Sequence, residues 1–205
     1  MMPSPQPLKF EAPDQGEEAA RAELYGLLAL LFYGAPSAAL LDAIAQAPVE
    51  GEGVLQDAWS ALAAACRQTD PERARDEYEA LFIGVGKPEL MLYGSYYLSG
   101  FLMEKPLAAL RAELATLGLE RAHSMPESED HIAALCEAMR CLIESDDPLH
   151  SNIATQKRFF AHHLEPWVHP MFDAIIGYRK ARLYKAVAQL AKCFFEVEQQ
   201  AFEMA

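Results

Sequence analysis

Residues 76–100, DEYEALFIGVGKPELMLYGSYYLSG, form the segment that decides how the chain is organised. The segment begins as a helix, with Tyr78, Leu81 and Phe82 at helical spacing, and the periodicity then stops. The remainder is rich in glycine, proline and aromatic residues: Gly84, Gly86, Pro88, Tyr93, Gly94, Tyr96, Tyr97 and Gly100. A loop of ~15 residues in a compact domain is usually functional or disordered, and this aromatic content argues against disorder. We therefore predict that the segment carries function.

The sequence on both sides of this segment predicts α-helices. Residues 17–33 place leucines at the i, i+3, i+4 and i+7 positions of a buried face. Further helical patterns with start or stop signals cover 37–47, 54–67, 71–82, 101–117, 125–145, 151–164, 167–177 and 178–202. Because no stretch alternates with a period of two, the predicted fold is all-α, a bundle of about nine to ten helices.

The expected domain organisation is simple. Residues 1–13 contain four prolines and predict a flexible tail, and residues 14–205 predict one helical domain. Within it, residues 118–131 separate two helices and carry several carboxylates, and we call them the acidic hinge. Ser124 and Glu127 form a capping-box pattern that predicts the start of the following helix.

The composition and the net charge limit the classes of function that the chain can have. The chain has 205 residues, of which 52% are hydrophobic, and a formal net charge of −13. Such a charge argues against nucleic-acid binding and favours a cationic partner, although solubility alone also explains it. The N-terminus lacks a signal-peptide pattern, and the most apolar run is too short to cross a bilayer. We expect a cytoplasmic protein without stable membrane insertion.

Four ionisable residues crowd the acidic hinge: Glu127, Glu129, Asp130 and His131. Carboxylates at this position can hold arginine side chains, bidentately where the geometry allows. A neighbouring aspartate and histidine can also act as an acid–base pair. A third interpretation is that the acids only complement the helix dipole. The local sequence leaves all three open.

Other site chemistries fit poorly. The turn at Gly84 follows a helix and lacks the lysine of a phosphate-binding loop. Ser95 lacks the strand and the GxSxG context of a nucleophilic serine. His162, His163 and His169 have no ligand pair at i, i+4, so we expect surface or core histidines there. The sequence thus predicts no metal and no cofactor.

Several motifs, in order along the chain, resemble those of the TorD/DmsD-type redox enzyme maturation chaperones. They are LFY at 31–33, LFIG at 81–84 with YGSYYL at 93–98, ESEDHI at 127–132, HLEPW at 163–167 and LYKAV at 183–187. The chain departs from the family pattern at Ser128, where the hinge usually has proline, and at Met91 and Leu92, where paired prolines are common.

The resemblance implies an all-helical cytoplasmic chaperone that is not an enzyme. It would bind the twin-arginine signal peptide of a molybdenum-cofactor oxidoreductase subunit and often the mature apo-subunit. It would assist folding, cofactor insertion and export proofreading. Members of the family also form dimers, including domain-swapped ones, so the chain is expected to be a monomer or a homodimer.

The residues and the resemblance together predict a peptide-binding site with two walls. Glu127, Glu129 and Asp130 would hold the guanidinium groups of the leader, and His131 would orient the carboxylates or contact the peptide. The predicted apolar wall holds the leader's apolar stretch in a groove; it comprises Tyr33, Phe82, Leu92, Tyr93 and Tyr97, and the site also includes Gly84 and Ser95.

Two alternatives to a chaperone remain at this point. The first is a small hydrolytic or acid–base enzyme that uses Asp130 and His131. The second is a structural helical module without a ligand. The chaperone hypothesis predicts binding of leader peptides, and neither alternative does.

Overall fold

The computed structural model describes residues 15–48, 52–102, 105–120 and 126–205. The predicted tail at 1–13 and the predicted capping residue Ser124 lie outside these ranges. Within them the chain forms eleven α-helices and one π-helix. These ranges also contain an isolated antiparallel β-bridge between Tyr93 and His131. The prediction of an all-α fold is confirmed.

The α-helices are α1 Gln15–Tyr33, α2 Ala38–Gln46, α3 Val54–Arg67, α4 Pro71–Tyr78, α5 Gly94–Ser99, α6 Lys105–Thr116, α7 Ile132–Glu144, α8 Pro148–Ser151, α9 Ile153–His163, α10 Glu165–Gly177 and α11 Leu183–Met204. None of the helices in the described ranges combines the length and the apolar character needed to cross a bilayer.

Local capping explains where the early helices begin. The Ser37 hydroxyl accepts a hydrogen bond from the Leu40 N–H at 3.2 Å, and Asp70 accepts one from the Arg73 N–H at 2.9 Å. Pro71 follows Asp70 in the first turn of α4, where its missing N–H is tolerated. These contacts supply the helix starts that the sequence predicted.

Several predicted helix boundaries are wrong. The helix expected from 101, for example, is α6, which begins at Lys105. The helix expected from about 125 begins at Ile132, because the hinge backbone is drawn into the bridge with Tyr93. The helix expected over 151–164 is divided at Asn152, whose side chain caps α9. The last helix begins at Leu183 and not near Tyr178, because a carboxylate from another helix caps it there.

That carboxylate belongs to Glu77 of α4. Its two oxygens accept the backbone N–H groups of Arg182, Leu183 and Tyr184 at 2.8, 3.1 and 2.9 Å. These groups open α11 and have no partner within their own helix. A negative charge at this end also complements the helix dipole. Glu77 thus joins α4 to the first turn of the last helix.

Residues 76–100, which we call the central segment, depart from α-geometry before their loop begins. Helix α4 continues into the π-helix Glu79–Ile83, which ends at Gly84 with a positive φ of 65°. A Cβ at Gly84 would lie 2.3 Å from the carbonyl oxygen of Lys87. Only glycine fits this turn. Single π-turns of this kind are frequent at functional sites.

The expected long loop is also shorter than predicted. Residues 94–99 form α5, so the irregular stretch between the π-helix and α5 covers only 84–93. Six residues are too few to display helical periodicity in a sequence. The hydroxyl of Tyr97 in α5 donates to the Met91 carbonyl at 3.0 Å, which folds the loop back on the helix.

The core lies between the longest helices. Helix α1 packs along α7, and α11 packs along α3 and α10. Aromatic rings fill the centre, with Tyr25 edge-on to Phe194 at 4.8 Å between centroids. Helix α5 packs against α6 and α10.

Candidate functional site

The acidic hinge and the central segment are joined by backbone and side-chain hydrogen bonds. The Gly94 N–H donates to the Asp130 carbonyl, and the Ile132 N–H donates to the Leu92 carbonyl, each at 2.9 Å. The Asp130 carboxylate accepts the N–H and the hydroxyl of Ser95 at 2.9 and 2.5 Å. The two sequence motifs are therefore one structural unit.

Asp130 is buried, with 4% of its surface exposed. Its second oxygen, Oδ1, accepts the hydroxyl of Ser128 at 2.5 Å, so both oxygens have partners. A buried carboxylate needs such partners, because an unpaired one would lose its hydration without compensation. Ser128, at the position where the family usually has proline, supplies one of these bonds.

Tyr93, Glu127 and His131 form a second contact group. The Tyr93 hydroxyl donates to the Glu127 carboxylate, and its ring lies edge-on to the His131 ring at 5.0 Å. Burial and the Glu127 carboxylate raise the pKa of Tyr93, so the phenol stays a donor. Burial lowers the pKa of His131 to about 4, and its Nδ1 accepts the Ala133 N–H at 3.1 Å.

Asp130 and His131 do not form the acid–base pair that the enzyme hypothesis required. The hydrogen bonds of Asp130 go to Ser95 and Ser128, and that of His131 goes to the backbone of α7. Both side chains are buried.

A patch of tyrosines adjoins Glu127 at the end of α1. The Tyr78 hydroxyl donates to the carbonyls of Phe32 and Tyr33 at 3.2 and 2.9 Å. Burial, with Glu127 and Tyr33 nearby, raises the pKa of Tyr78 to about 12. Tyr33 itself is 41% exposed. We call Tyr33, Tyr78, Tyr93 and Glu127 the tyrosine–acid patch.

Glu129 lies on the side of the hinge that faces α6. One of its oxygens accepts both Nε and Nη2 of Arg111, at 3.0 and 2.8 Å. The side chain of Glu129 is 15% exposed and that of Arg111 is 53% exposed. The hinge thus binds a guanidinium group that the chain itself supplies.

A cavity of about 400 Å³ lies between α5, α6 and the junction of α9 and α10 at residues 161–167, which we call the α9–α10 corner. Trp167 forms one wall, and its indole N–H donates to the His163 carbonyl at 2.6 Å. The Tyr97 ring stacks on Trp167 at 5.7 Å, and a Cβ at Gly94 would come within 2.9 Å of the indole nitrogen. The motifs at 93–98 and 163–167 are therefore in direct contact at the wall of this cavity.

Residues 52–173 match the family model of the nitrate reductase delta subunit. The chain belongs to this family. Its membership confirms the resemblance to the TorD/DmsD-type redox enzyme maturation chaperones. The protein is therefore a maturation chaperone of a redox enzyme, which fits a protein that is not a catalyst.

The chaperone also has a relative of similar fold. It aligns with the crystal structure of a protein from Archaeoglobus fulgidus that is provisionally assigned to redox enzyme maturation, with a TM-score of 0.55 and 21% sequence identity. The alignment covers 94% of this chain and 98% of the other. No curated protein matches the chain.

The predicted site residues of the chaperone fall into two groups. Side chains that are exposed or half-buried belong to Tyr33, Tyr93, Tyr97, Glu127 and Glu129. Side chains that are buried beneath them belong to Phe82, Leu92, Ser95, Asp130 and His131. Gly84 ends the π-helix. Contact of any of these residues with a peptide stays a prediction.

The site prediction missed Tyr78 and Trp167. Tyr78 lies in residues 76–100, where the local pattern indicates only a helical position. Its hydrogen bond to the end of α1 spans 45 residues and cannot be read from that pattern. Trp167 belongs to a motif that indicated the family and carried no site assignment.

Proposed function

We propose that this chaperone binds the twin-arginine signal peptide of a molybdenum-cofactor oxidoreductase subunit in the cytoplasm. It holds the subunit while it folds and receives its cofactor, and it delays export until then. The observation that carries the proposal is the contact of one Glu129 oxygen with two nitrogens of Arg111, two positions along the hinge from Glu127.

The acidic wall suits guanidinium groups. A carboxylate that binds an arginine through two nitrogens has the geometry that a leader arginine needs. A peptide arginine would replace Arg111 at Glu129, and a second one would approach Glu127 beside Tyr93. The formal net charge of −13 attracts a cationic leader from a distance, and this attraction weakens as salt increases.

The apolar wall suits the leader's hydrophobic stretch. Leu30 and Tyr33 lie one turn apart at the end of α1 and are 58% and 41% exposed. Tyr93 and Tyr97 add half-buried rings, which offer apolar area with a polar tip. An apolar peptide segment that covers such a surface gains free energy from burial.

The buried residues support the site from below. Asp130 holds α5 against the hinge through Ser95, and His131 caps α7. Phe82 packs against the Tyr78 ring at 5.3 Å, so it supports the tyrosine–acid patch from inside. Leu92 accepts the backbone bond from Ile132.

Isothermal titration calorimetry against synthetic leader peptides tests the proposal. An Arg-Arg leader should bind at least about tenfold more tightly than its Lys-Lys version, because lysine has a single nitrogen and cannot donate to a carboxylate from two. Glu127→Gln and Glu129→Gln should each weaken binding. Glu196→Gln removes one exposed carboxylate from α11 and serves as the matched control.

Two outcomes would contradict the proposal. The first is the absence of binding to any leader. The second is equal binding by the wild type, the two hinge variants and the control, which would place the peptide elsewhere on the surface.

A further inference from the structure

Three side chains with metal-binding atoms meet at the wall of the cavity between α5, α6 and the α9–α10 corner. Glu113 comes from α6, and His162 and His163 come from the end of α9. One carboxylate oxygen and one ring nitrogen from each histidine lie within 4.8 Å of one another. The spacing of the histidines does not indicate this group, because the carboxylate of Glu113 lies 50 residues before His163 in the sequence.

The distances in this group suit a tetrahedral ion. Glu113 Oε2 lies 2.8 Å from His163 Nε2 and 3.5 Å from His162 Nδ1. Zinc binds nitrogen and oxygen at about 2.0–2.2 Å, which separates neighbouring tetrahedral ligands by roughly 3.4 Å. The two observed distances lie on either side of that value, and the two ring nitrogens lie within 4.8 Å of each other.

Arg158 orients the carboxylate. Its Nε donates to Glu113 Oε1 at 3.0 Å, which leaves Oε2 directed at the histidines. Hydrogen bonds of this kind commonly fix the ligands of metal sites from outside.

The exposure of the three side chains suits the entry of an ion. His162 is 59% exposed, whereas His163 and Glu113 are 10% and 17% exposed. An ion can enter from solvent past His162 and reach two shielded ligands.

We propose that Glu113, His162 and His163 form a binding site for a divalent transition-metal ion such as Zn²⁺. Three protein ligands leave one tetrahedral position open, as in zinc sites that bind a further ligand. The ion would tie α6 to α9, and a carboxylate or thiolate that enters the cavity could take the open position. The inference is independent of leader-peptide binding.

The test is calorimetric titration of the untagged full chain with Zn²⁺, in a Cys141→Ser background that removes an exposed thiol. We expect one ion per chain. His162→Ala and Glu113→Gln should each weaken binding by at least about tenfold. His150→Ala is the matched control, because His150 also lies beside a carboxylate, Asp147, at 3.8 Å. Co²⁺ should give the visible absorption of a tetrahedral site.

His162→Ala is the deciding variant, because His162 is largely exposed and its loss should not prevent folding. Zinc should raise the melting temperature of the wild type and not that of His162→Ala. Absence of stoichiometric zinc binding would overturn the proposal. Zinc binding that is as strong in His162→Ala as in the wild type would overturn it as well. So would binding that is weakened in His150→Ala as much as in His162→Ala. The three side chains would then only connect α6 to α9 by hydrogen bonds.

Discussion

The carboxylate of Asp130 accepts both the backbone N–H and the hydroxyl of Ser95, although 35 positions separate the two residues. This contact joins the acidic hinge to the first turn of α5. Asp130→Ala would remove the carboxylate that accepts the two bonds from Ser95 and the bond from the Ser128 hydroxyl. We expect a loss of roughly 2–4 kcal/mol in the free energy of unfolding.

Urea denaturation measures this loss. Asp130→Asn should be milder, because the amide oxygen still accepts one of the bonds. Asp42→Ala, at an exposed position in α2, should change stability little. Equal stability of Asp130→Ala and Asp42→Ala would show that the contact does not hold the hinge.

Arg111 competes with a leader arginine for Glu129 if the proposed site is correct. Removing it with Arg111→Ala should raise the affinity for an Arg-Arg leader by about two- to fivefold, the range expected for an exposed ion pair. Calorimetry with the same peptide measures the change. Arg73→Ala removes the same charge from an exposed pair with Asp70 and should leave affinity almost unchanged. Weaker binding by Arg111→Ala would argue against competition at Glu129.

Stability should depend on the titration of His131. Burial lowers its folded pKa from 6.5 to about 4, so the unfolded chain binds more protons between these values. Stability is therefore fully present above pH ~6.5 and decreases as the pH falls toward 4, by on the order of 3 kcal/mol.

His131→Asn isolates this effect, because asparagine can still cap α7 but does not titrate. The free energy of unfolding of the variant, measured from pH 7 to pH 4, should decrease less than that of the wild type. His150→Asn should follow the wild type. Parallel curves for the wild type and His131→Asn would mean that His131 does not titrate with unfolding.

Gly94 lies against the Trp167 indole, and this contact limits its substitution. A Cβ at Gly94 would come within 2.9 Å of Nε1 and 3.0 Å of Cε2. Gly94→Ala should destabilise the fold by about 1–3 kcal/mol and change the near-ultraviolet circular dichroism of the indole. Gly34→Ala, which meets no atom within 4 Å, is the control. An unchanged spectrum in Gly94→Ala would contradict the packing.

Glu77 caps α11 from another helix. Glu77→Gln keeps one acceptor oxygen and removes the charge, so it should lower the free energy of unfolding by about 1–2 kcal/mol. Hydrogen exchange at Arg182, Leu183 and Tyr184 should become faster. Glu79→Gln, on the exposed surface of the π-helix, should leave these amides protected. Unchanged exchange in Glu77→Gln would show that the cap is not formed in solution.

The sequence predicted those features that depend on neighbouring residues. The starts of α2 and α4 follow from Ser37 and Asp70, whose side chains bond to N–H groups three residues later. The buried face of α1 follows from leucines at helical spacing. The family follows from motifs that are local in the chain.

The features that were missed depend on distant contacts. Asp130 was expected to hold a guanidinium group, and it is instead buried and bonded to Ser95, 35 residues earlier. The start of α11 is set by Glu77, more than 100 residues earlier. Glu113 joins the histidines of α9 across 50 residues. None of these partners can be read from local spacing.

The π-helix Glu79–Ile83 contains one more residue than an α-helix along the same path would need. Deleting one exposed residue there would change the i→i+5 bonds to i→i+4 bonds and leave the side chains that follow in their present orientation. Leu81 and Phe82 are buried and would keep their places in the core. A deletion earlier in α4 would instead rotate them by about 100° relative to the start of that helix. The π-helix is thus the point at which this helix can lose a residue.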